Sequence, residues 1–352
     1  MKITSSLFSG FLIASLFLGL FTSCSSDIQE VKPSDELAFQ QRDLSLIDGR
    51  IRIKNQETYD KLFEDFAQSQ KHAELWNSDF TRFQQEGFTS MREAYHNFGE
   101  EDIQAILNNG GKLFGEYAKY LTIRPGEDGE LEALSVIPEP FEARISNSEG
   151  LLQIGEDVRR YFYDYYLEVK AASNELIDEL KQLEEGEFPA FAEKVDIYRH
   201  TVTDLSKSRC GGNTNAKPEY ASSPRRRINA TLIYKCKSAK GAISQVFYSE
   251  VKNQRRNGGI WWARKADRIK SSVTGSSNNE GGWEKGPWEE TNRTWEYTVT
   301  NEKKLDKIFA YFYSDACYPN IFSVDYSFVG THELTDKDGR AKGSTSNNRR
   351  CD

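Results

Sequence analysis

The front half of the chain carries apolar residues at helical spacing. From Glu57 onward, Tyr59, Leu62, Phe63 and Phe66 recur every three or four residues, which predicts a helix with one buried face. The same criterion predicts further helices around residues 76–83, after a cap at Thr89 or Ser90, around 103–107, and from 173 toward Gly186. Short apolar signals at Ile47, Ile51 and Ile53 precede the first of these helices, and a short strand is expected at residues 152–155. The pattern indicates a helix-rich α+β N-terminal domain.

The rear half alternates between apolar and polar residues instead. Even positions of 227–236 are apolar and most odd positions are polar, and 295–299 and 322–328 alternate in the same way. Turns rich in Gly, Asn and Ser separate these segments, and one helix is expected near 302–309. We therefore predict an antiparallel all-β C-terminal domain, either a sandwich or a small barrel.

The first residues follow the pattern of an export signal. Lys2 precedes an apolar core that runs from Leu7 to Phe21, followed by the small residues Thr22 and Ser23. This core of about 15 residues is shorter than the roughly 20 that a membrane-spanning helix needs. A signal peptide over residues 1–23 is therefore predicted.

The junction of this segment resembles the lipobox of bacterial lipoproteins. Its residues are Phe21-Thr22-Ser23-Cys24, and the resemblance implies that Cys24 begins the mature chain and carries the acyl chains. The alternative is an ordinary cleaved signal that leaves Cys24 free. In such lipoproteins Ser25 implies passage to the outer membrane, and the nearby acidic residues loosely resemble surface-export signals. We expect an exported chain anchored to the outer membrane by lipid, with the periplasmic or surface face left open.

Charge divides the chain into unlike halves. Residues 207–352 contain 26 Lys plus Arg and 16 Asp plus Glu, a net of +10, so the remainder carries −18 to reach the total of −8. A loop-forming stretch at 206–215 lies at the join. Four parts are predicted: the signal peptide 1–23, the lipidated cysteine and flexible tether 24–46, the α+β domain 47–205, and the basic, Trp-rich β domain 206–352.

Two separated motifs in the front half carry a family resemblance. The first runs from Trp76 to Gly87-Phe88 and Ser90, and the second is Asn147-Ser148-Glu149-Gly150-Leu151-Leu152-Gln153-Ile154-Gly155. Together they resemble an uncharacterised family of Bacteroidetes lipoproteins, over roughly residues 47–205. The resemblance implies a cell-envelope setting and carries no catalytic residue. Trp76 and Phe88 are expected to be core residues.

Cysteine usage is consistent with export. Beyond Cys24, the four cysteines are Cys210, Cys236, Cys317 and Cys351, an even number with three possible connectivities. We prefer Cys236 with Cys317 and Cys210 with Cys351. A zinc site is the rival, but the spacing contains no C-x-x-C pair, so no metal site is assigned.

The best functional lead lies among tryptophans and arginines of the rear half. Of six tryptophans, five fall between positions 261 and 295. Exposed indoles stack on sugar rings and arginines bind carboxylates or sulfates. Because Trp261 and Trp262 point to opposite faces of a strand, at most one can lie in the core of a one-sided sheet. The candidate ligand-binding residues are Trp261, Trp262, Arg264, Arg255, Arg256 and Trp288, and ordinary packing with solvated charge is the alternative.

No catalytic motif occurs in the chain. The four histidines are scattered, and neither H-E-x-x-H, G-x-S-x-G nor a glycine-rich phosphate loop is present. We therefore expect a non-catalytic envelope protein that binds a carbohydrate or polyanion or serves a structural role, without cofactor, and the envelope setting argues against nucleic acid. An extracellular hydrolase acting on polymer is the alternative, and it requires convergent carboxylates or a nucleophile beside a base.

Overall fold

Three β-sheets and several short helices make up the protein, which is mostly β. The structure is a computed structural model that describes residues 43–68, 80–126, 128–187, 189, 194–199, 215–216, 219–220, 223–239, 242–279, 293–314, 324–337 and 339–349. The helices are α1 (Gln56–Gln68), α2 (Met91–Asn97), α3 (Glu100–Asn108), α4 (Tyr117–Tyr120), α5 (Pro140–Ile145) and α6 (Asn174–Gln182), and residues 80–85 are also helical. The strands are β1 (Leu44–Ile47), β2 (Arg50–Ile53), β3 (Leu121–Pro125), β4 (Leu131–Ser135), β5 (Leu151–Ile154), β6 (Asp157–Tyr161), β7 (Tyr165–Val169), β8 (Val195–Arg199), β9 (Asn215–Ala216), β10 (Glu219–Tyr220), β11 (Ser223–Ala239), β12 (Ala242–Asn257), β13 (Ile260–Ala263), β14 (Ala266–Asn279), β15 (Arg293–Glu302), β16 (Lys304–Ser314), β17 (Val324–Asp336) and β18 (Gly339–Arg349).

The first sheet is built entirely from the front half. Its order is β1-β2-β5-β6-β7-β8, with β2 and β5 parallel and every other pair antiparallel. The β1–β2 hairpin turns through Asp48 and Gly49, whose φ angles of 48° and 71° are both positive. An Asp-Gly pair is one of the few that adopts this two-residue turn at little cost.

The second sheet joins the two halves of the chain. Its order is β10-β11-β12-β13-β4-β3, with β16 also beside β12 and β9 beside β11. The front-half strand β4 runs parallel to the rear-half strand β13, with Glu132 opposite Trp261. Residues from either side of the predicted boundary therefore share one sheet, while the boundary segment 200–214 lies outside the described residues.

The third sheet packs on the second as one half of a β-sandwich. Its order is β15-β14-β17-β18, and all its neighbouring strands are antiparallel. Ile228 and Val251 of the second sheet form one core cluster with Ile269 and Leu334 of the third. These four side chains are fully buried, so the two sheets exclude water between them.

Helices fill the space between the first and second sheets. The largest core cluster joins Ile53 of the first sheet to Phe141 of α5, Phe98 after α2, and Trp262 of the second sheet. A separate cluster on the opposite face of the first sheet contains Ile177 and Leu180 of α6 together with Val158, Leu167 and Val169. Helices therefore pack on both faces of the first sheet.

Several predicted elements are confirmed. Helix α1 contains the apolar residues spaced from Glu57, and β5 covers the predicted short strand. Ser90 caps α2 by accepting a hydrogen bond from the Glu93 amide, and Ser173 caps α6 in the same way, although α6 ends at Gln182, before Gly186. Strands β11, β15 and β17 include alternating segments of the rear half.

The predicted fold class is wrong for the front half, which is not a helix-rich domain. The sequence pattern did not predict strands β6 and β7, because charged residues occupy buried positions in both. Arg159 of β6 and Glu168 of β7 face each other at 2.7 Å, and both side chains are buried, so neither strand shows apolar alternation. The helix expected near 302–309 is also wrong, because strand β16 occupies that region and pairs along β12.

Candidate functional site

The described parts of the two motifs that carry the family resemblance meet in space, while Trp76 lies outside the described residues. The Ser148 amide donates to the Thr89 carbonyl at 2.9 Å, and the Met91 amide donates to the Ser146 carbonyl at 2.9 Å. Gly87 ends the preceding helical turn with a φ of 94°, which glycine adopts freely, and Phe88 enters the core at 2% exposure. The contact fixes the start of α2 against the turn that leads into β5.

Asn147 organises that turn with its side chain. Its Oδ1 atom accepts hydrogen bonds from the amides of Glu149 (3.1 Å) and Leu151 (2.8 Å), and its Nδ2 group donates to the Gly49 carbonyl (3.2 Å). Gly150 follows with a φ of 75°. The "N..G" part of the motif is therefore a side-chain-stabilised turn that also holds the β1–β2 hairpin.

A cleft of about 650 Å3 opens where these segments meet; we call it the motif cleft. It receives residues from the β1–β2 turn, the loop before α2, the end of α2, the start of α3, helix α4 and the Asn147 turn. Its lining consists of Asp48, Gly49, Gly87, Thr89, Ala94, Asn97, Phe98, Asp102, Glu116, Lys119, Tyr120, Asn147, Ser148 and Glu149. Carboxylates, amides and hydroxyls dominate, with two aromatic side chains among them.

Carboxylates outnumber cations in the motif cleft. Glu149 forms an ion pair with Lys119 at 2.6 Å, and among the described residues Lys119 is the one basic residue in the lining. Asp102 accepts from the Gly99 amide at 2.6 Å and from the Tyr117 hydroxyl at 2.8 Å, and this last bond raises the pKa of Tyr117 to about 12. The excess of acceptors suits ligands that present hydroxyl or ammonium donors.

A buried lysine holds the end of α2 beside the motif cleft. Lys303 is 4% exposed, and its Nζ atom donates to the carbonyl of Tyr95 at 2.8 Å and to that of Phe98. These are carbonyls of the last helical turn, which have no partner within the helix. Burial, with the nearby Lys265 charge, lowers the pKa of Lys303 to about 7. The rear half thereby stabilises the position of Asn97 and Phe98.

Two tryptophans of the predicted ligand surface, Trp261 and Trp262, are buried. Trp262 is fully buried and packs against Phe98 with ring centroids 5.5 Å apart, and Trp261 is 1% exposed. The Trp261 indole donates to Glu130 at 2.7 Å, and the Arg227 guanidinium lies 4.0 Å from its ring centre. The prediction that one of these two indoles is exposed to solvent is wrong, because this sheet is covered on both faces.

The candidate arginines contact acidic groups of the front half. Arg255 pairs with Glu100 at 3.3 Å, and Arg256 pairs with Glu130 at 3.0 Å. Arg264 is half-buried, and burial together with the Arg226 charge lowers its pKa. Trp288 lies outside the described residues, so its part in the predicted surface stays a prediction.

Arg227 forms the densest of these contacts between the halves. Its guanidinium reaches Asp128 at 3.0 Å, Glu130 at 2.7 Å and Glu132 at 2.8 Å, and its Nε atom donates to Gln254 at 2.8 Å. The opposite charges of the two halves therefore serve intramolecular pairing. Arg227, Arg255 and Arg256 of the basic half are therefore paired within the chain itself.

The cysteine predictions fall largely outside the described residues. Cys24, Cys210, Cys317 and Cys351 lie there, as do the signal peptide and residues 24–42 of the tether. Cys236 lies in β11, and nothing further is described of its side chain. Among the described residues, no group of three or more His, Cys, Asp or Glu side chains is arranged to hold a metal ion. The two disulfides stay predictions.

A serine and a histidine do lie within hydrogen-bond reach of each other. Ser271 Oγ is 3.0 Å from His332 Nδ1, and the chain continues to Ser249 Oγ (2.8 Å) and Thr345 Oγ1 (2.7 Å). Ser249, Ser271 and His332 are all fully buried, and burial lowers the pKa of His332 to about 4. This row joins strands of the second and third sheets by hydrogen bonds and offers no path to a substrate.

Sequence reasoning missed the motif cleft because its lining comes from six separated segments. The available signal was the pair of motifs, whose turns do meet there. The described part of the chain holds no helix both long and apolar enough to cross a bilayer.

No family model matches the chain, and no curated protein matches it. Among solved structures, the crystal structure of a DUF4848 family protein from Bacteroides thetaiotaomicron is 11% identical, covers 86% of this chain and 98% of that chain, and has a TM-score of 0.23. With that TM-score the overlap identifies neither a shared fold nor a shared activity.

Proposed function

We propose that the protein is an exported lipoprotein that binds carbohydrate in the motif cleft without chemically changing it. The observation that carries the proposal is the lining of that cleft, where carboxylate, amide and hydroxyl groups surround Phe98 and Tyr120. A sugar presents many hydroxyl groups and apolar ring faces. Carboxylates and amides bind the hydroxyl groups, and these polar groups support the proposal, because the rings of Phe98 and Tyr120 are only 4% and 9% exposed.

A neutral or amine-bearing carbohydrate suits the motif cleft better than a polyanion. Among the described residues, its lining contains four carboxylates and one cation, Lys119. The carboxylates are Asp48, Asp102, Glu116 and Glu149. Like charges at close range are repelled more strongly in a partly enclosed site than in open water. The candidate arginines of the rear half also pair with carboxylates of the chain itself, which weakens the case for a polyanion surface there.

Binding is tested by titrating the full chain with neutral oligosaccharides in a calorimeter, after a glycan array has selected a ligand. Asp48→Asn and Glu116→Gln each remove one carboxylate from the lining. Loss of a hydrogen bond to a charged group costs about 1.5–3 kcal/mol, which raises Kd roughly ten- to hundredfold. Glu184→Gln is the matched control, because Glu184 is exposed and lies outside the lining.

The same samples separate binding from hydrolysis. Mass spectrometry of the bound oligosaccharide after prolonged incubation should recover it intact. Cleavage that Glu116→Gln or Asp48→Asn abolishes would favour the hydrolase alternative. Unaltered affinity in both variants would contradict the proposal that the carbohydrate binds in the motif cleft.

Lipid attachment at Cys24 is the second part of the proposal. It is supported by the lipobox resemblance and by the polar stretch that follows Cys24. Metabolic labelling with radioactive palmitate should mark the wild-type chain and not the Cys24→Ser variant, and only the former should fractionate with the outer membrane. Labelled Cys24→Ser protein would contradict the assignment. Protease digestion of intact cells would then distinguish a surface-exposed from a periplasmic chain.

A further inference from the structure

Among the residues that the structure describes, one edge of the first sheet is open for pairing. Strand β8 lies at the end of the order, and within the described part of the chain only β7 pairs with it. Natural proteins usually cover such an edge or interrupt it with proline, bulges or charge. Strand β8 has the sequence Val-Asp-Ile-Tyr-Arg, without proline or glycine, and Ile197 at its centre is 50% exposed.

The register identifies which backbone groups face outward. The Lys170 amide donates to the Lys194 carbonyl, so these two residues form a hydrogen-bonded pair of the antiparallel ladder. Hydrogen-bonded and non-bonded pairs alternate, and therefore Asp196 and Tyr198 also point their backbone groups toward β7. The amides and carbonyls of the intervening residues, Val195, Ile197 and Arg199, face away from the sheet.

We propose that β8 of a second copy of this chain pairs antiparallel with this edge, about a two-fold axis at Ile197. Each copy then places Ile197 opposite Ile197 and Val195 opposite Arg199. The three facing pairs form about six backbone hydrogen bonds, two for each pair. The six-stranded sheets of both copies become one continuous sheet.

The side chains of β8 are complementary to themselves in this register. The exposed Ile197 side chains cover each other on one face. On the other face Asp196 lies opposite Tyr198, so its carboxylate meets a phenol and no second carboxylate. The Tyr198 ring is already ordered, because it stacks on Tyr166 at 4.9 Å with an angle of 13° between the planes. Such self-complementarity is what a two-fold interface requires, and it favours a second copy over an unrelated extended peptide.

Sedimentation equilibrium tests the pairing on the full chain with Cys24→Ser, which prevents lipid attachment at the predicted position. We expect a monomer–dimer equilibrium, and Ile197→Lys should raise its Kd at least tenfold because two ammonium groups then face each other at the axis. Val329→Lys is the control, since Val329 is 51% exposed on β17 and should leave the Kd unchanged. A chain that stays monomeric at about 100 µM, or a dimer insensitive to Ile197→Lys, would overturn the proposal.

Two further readouts do not depend on the folding of the lysine variant. Raising the protein concentration should slow amide exchange at Val195, Ile197 and Arg199, while Asp196 and Tyr198 change little because they already bond to β7. Ile197→Cys should form an intermolecular disulfide, because facing Cα atoms of a bonded antiparallel pair lie about 5.5 Å apart. Concentration-dependent protection on another strand would assign the dimer to a different surface, and protection appearing only with cell extract would indicate a different partner; either result would contradict the proposal.

Discussion

Replacing Arg227 by methionine should destabilise the protein more than replacing any exposed arginine of the rear half. Arg227 is 2% exposed, and its guanidinium is bound by Asp128, Glu130 and Glu132. Removing one partner of a buried ion pair typically costs about 3–5 kcal/mol, because the other charge remains buried. Glu132 is 4% exposed but keeps hydrogen bonds from Asn229 and Gln254, so we expect about 3 kcal/mol.

Urea denaturation followed by tryptophan fluorescence measures this loss. The Trp261 ring lies against Arg227, so its emission reports on the same region. Arg256→Met is the control, because Arg256 pairs with Glu130 but its side chain is 45% exposed, and such pairs contribute less than about 1 kcal/mol. Adding Glu132→Gln to Arg227→Met should recover part of the stability. Equal losses for Arg227→Met and Arg256→Met would refute the view that the halves neutralise each other inside the fold.

Three further predictions concern buried or constrained groups. The pKa of His332 is about 4 in the folded chain and about 6.5 when unfolded, so acidification through that interval should remove about 3 kcal/mol of stability, a loss absent in His332→Gln. Lys303 has a folded pKa of about 7 against 10.5, so its contribution to stability should increase as pH rises from 7 toward 10, and Lys303→Met should flatten that rise in thermal melts. Gly150→Ala should cost about 1–3 kcal/mol in urea, because its φ is 75° and the new Cβ atom would lie 2.8 Å from Arg160 Nη1, whereas the exposed Gly129, with a φ of 76° and no atom within 4 Å, should lose less.

The sequence predicted local elements well where one physical signal dominated. Helix α1 followed from the spacing of its aromatic residues, and α2 and α6 from their serine caps. Strand β11 followed from its alternation. In each case the residues that create the signal lie within the element itself.

Apart from β5, the front-half strands were not predicted, and one pairing partner of β4 is distant in sequence. Strand β4 is short and pairs with β13, more than 100 residues away, while β6 and β7 bury the Arg159–Glu168 pair. Pairing across the chain also explains why β16 is a strand, since β12 supplies its ladder. Periodicity within one segment contains no information about such partners.

The motif cleft was predicted only in part, and those predicted ligand-binding residues that the structure describes lie outside its lining. The two motifs marked the turns that border the motif cleft, but Asp48 and Glu116 join them only through the fold. The tryptophan-rich segment was predicted to bind a ligand because its residue types suit a ligand surface. Burial of Trp261 and Trp262 depends on the covering of both sheet faces, which no strand pattern reveals.

The most direct test of the account is an NMR titration of the full chain with the oligosaccharide selected by the array. We predict that saturable shifts cluster at the amides of Thr89, Asn97 and Ser148, all lining the motif cleft, and that Asp48→Asn weakens them. Shifts confined to residues 255–264, or their absence throughout the motif cleft, would contradict the central claim that this cleft binds carbohydrate.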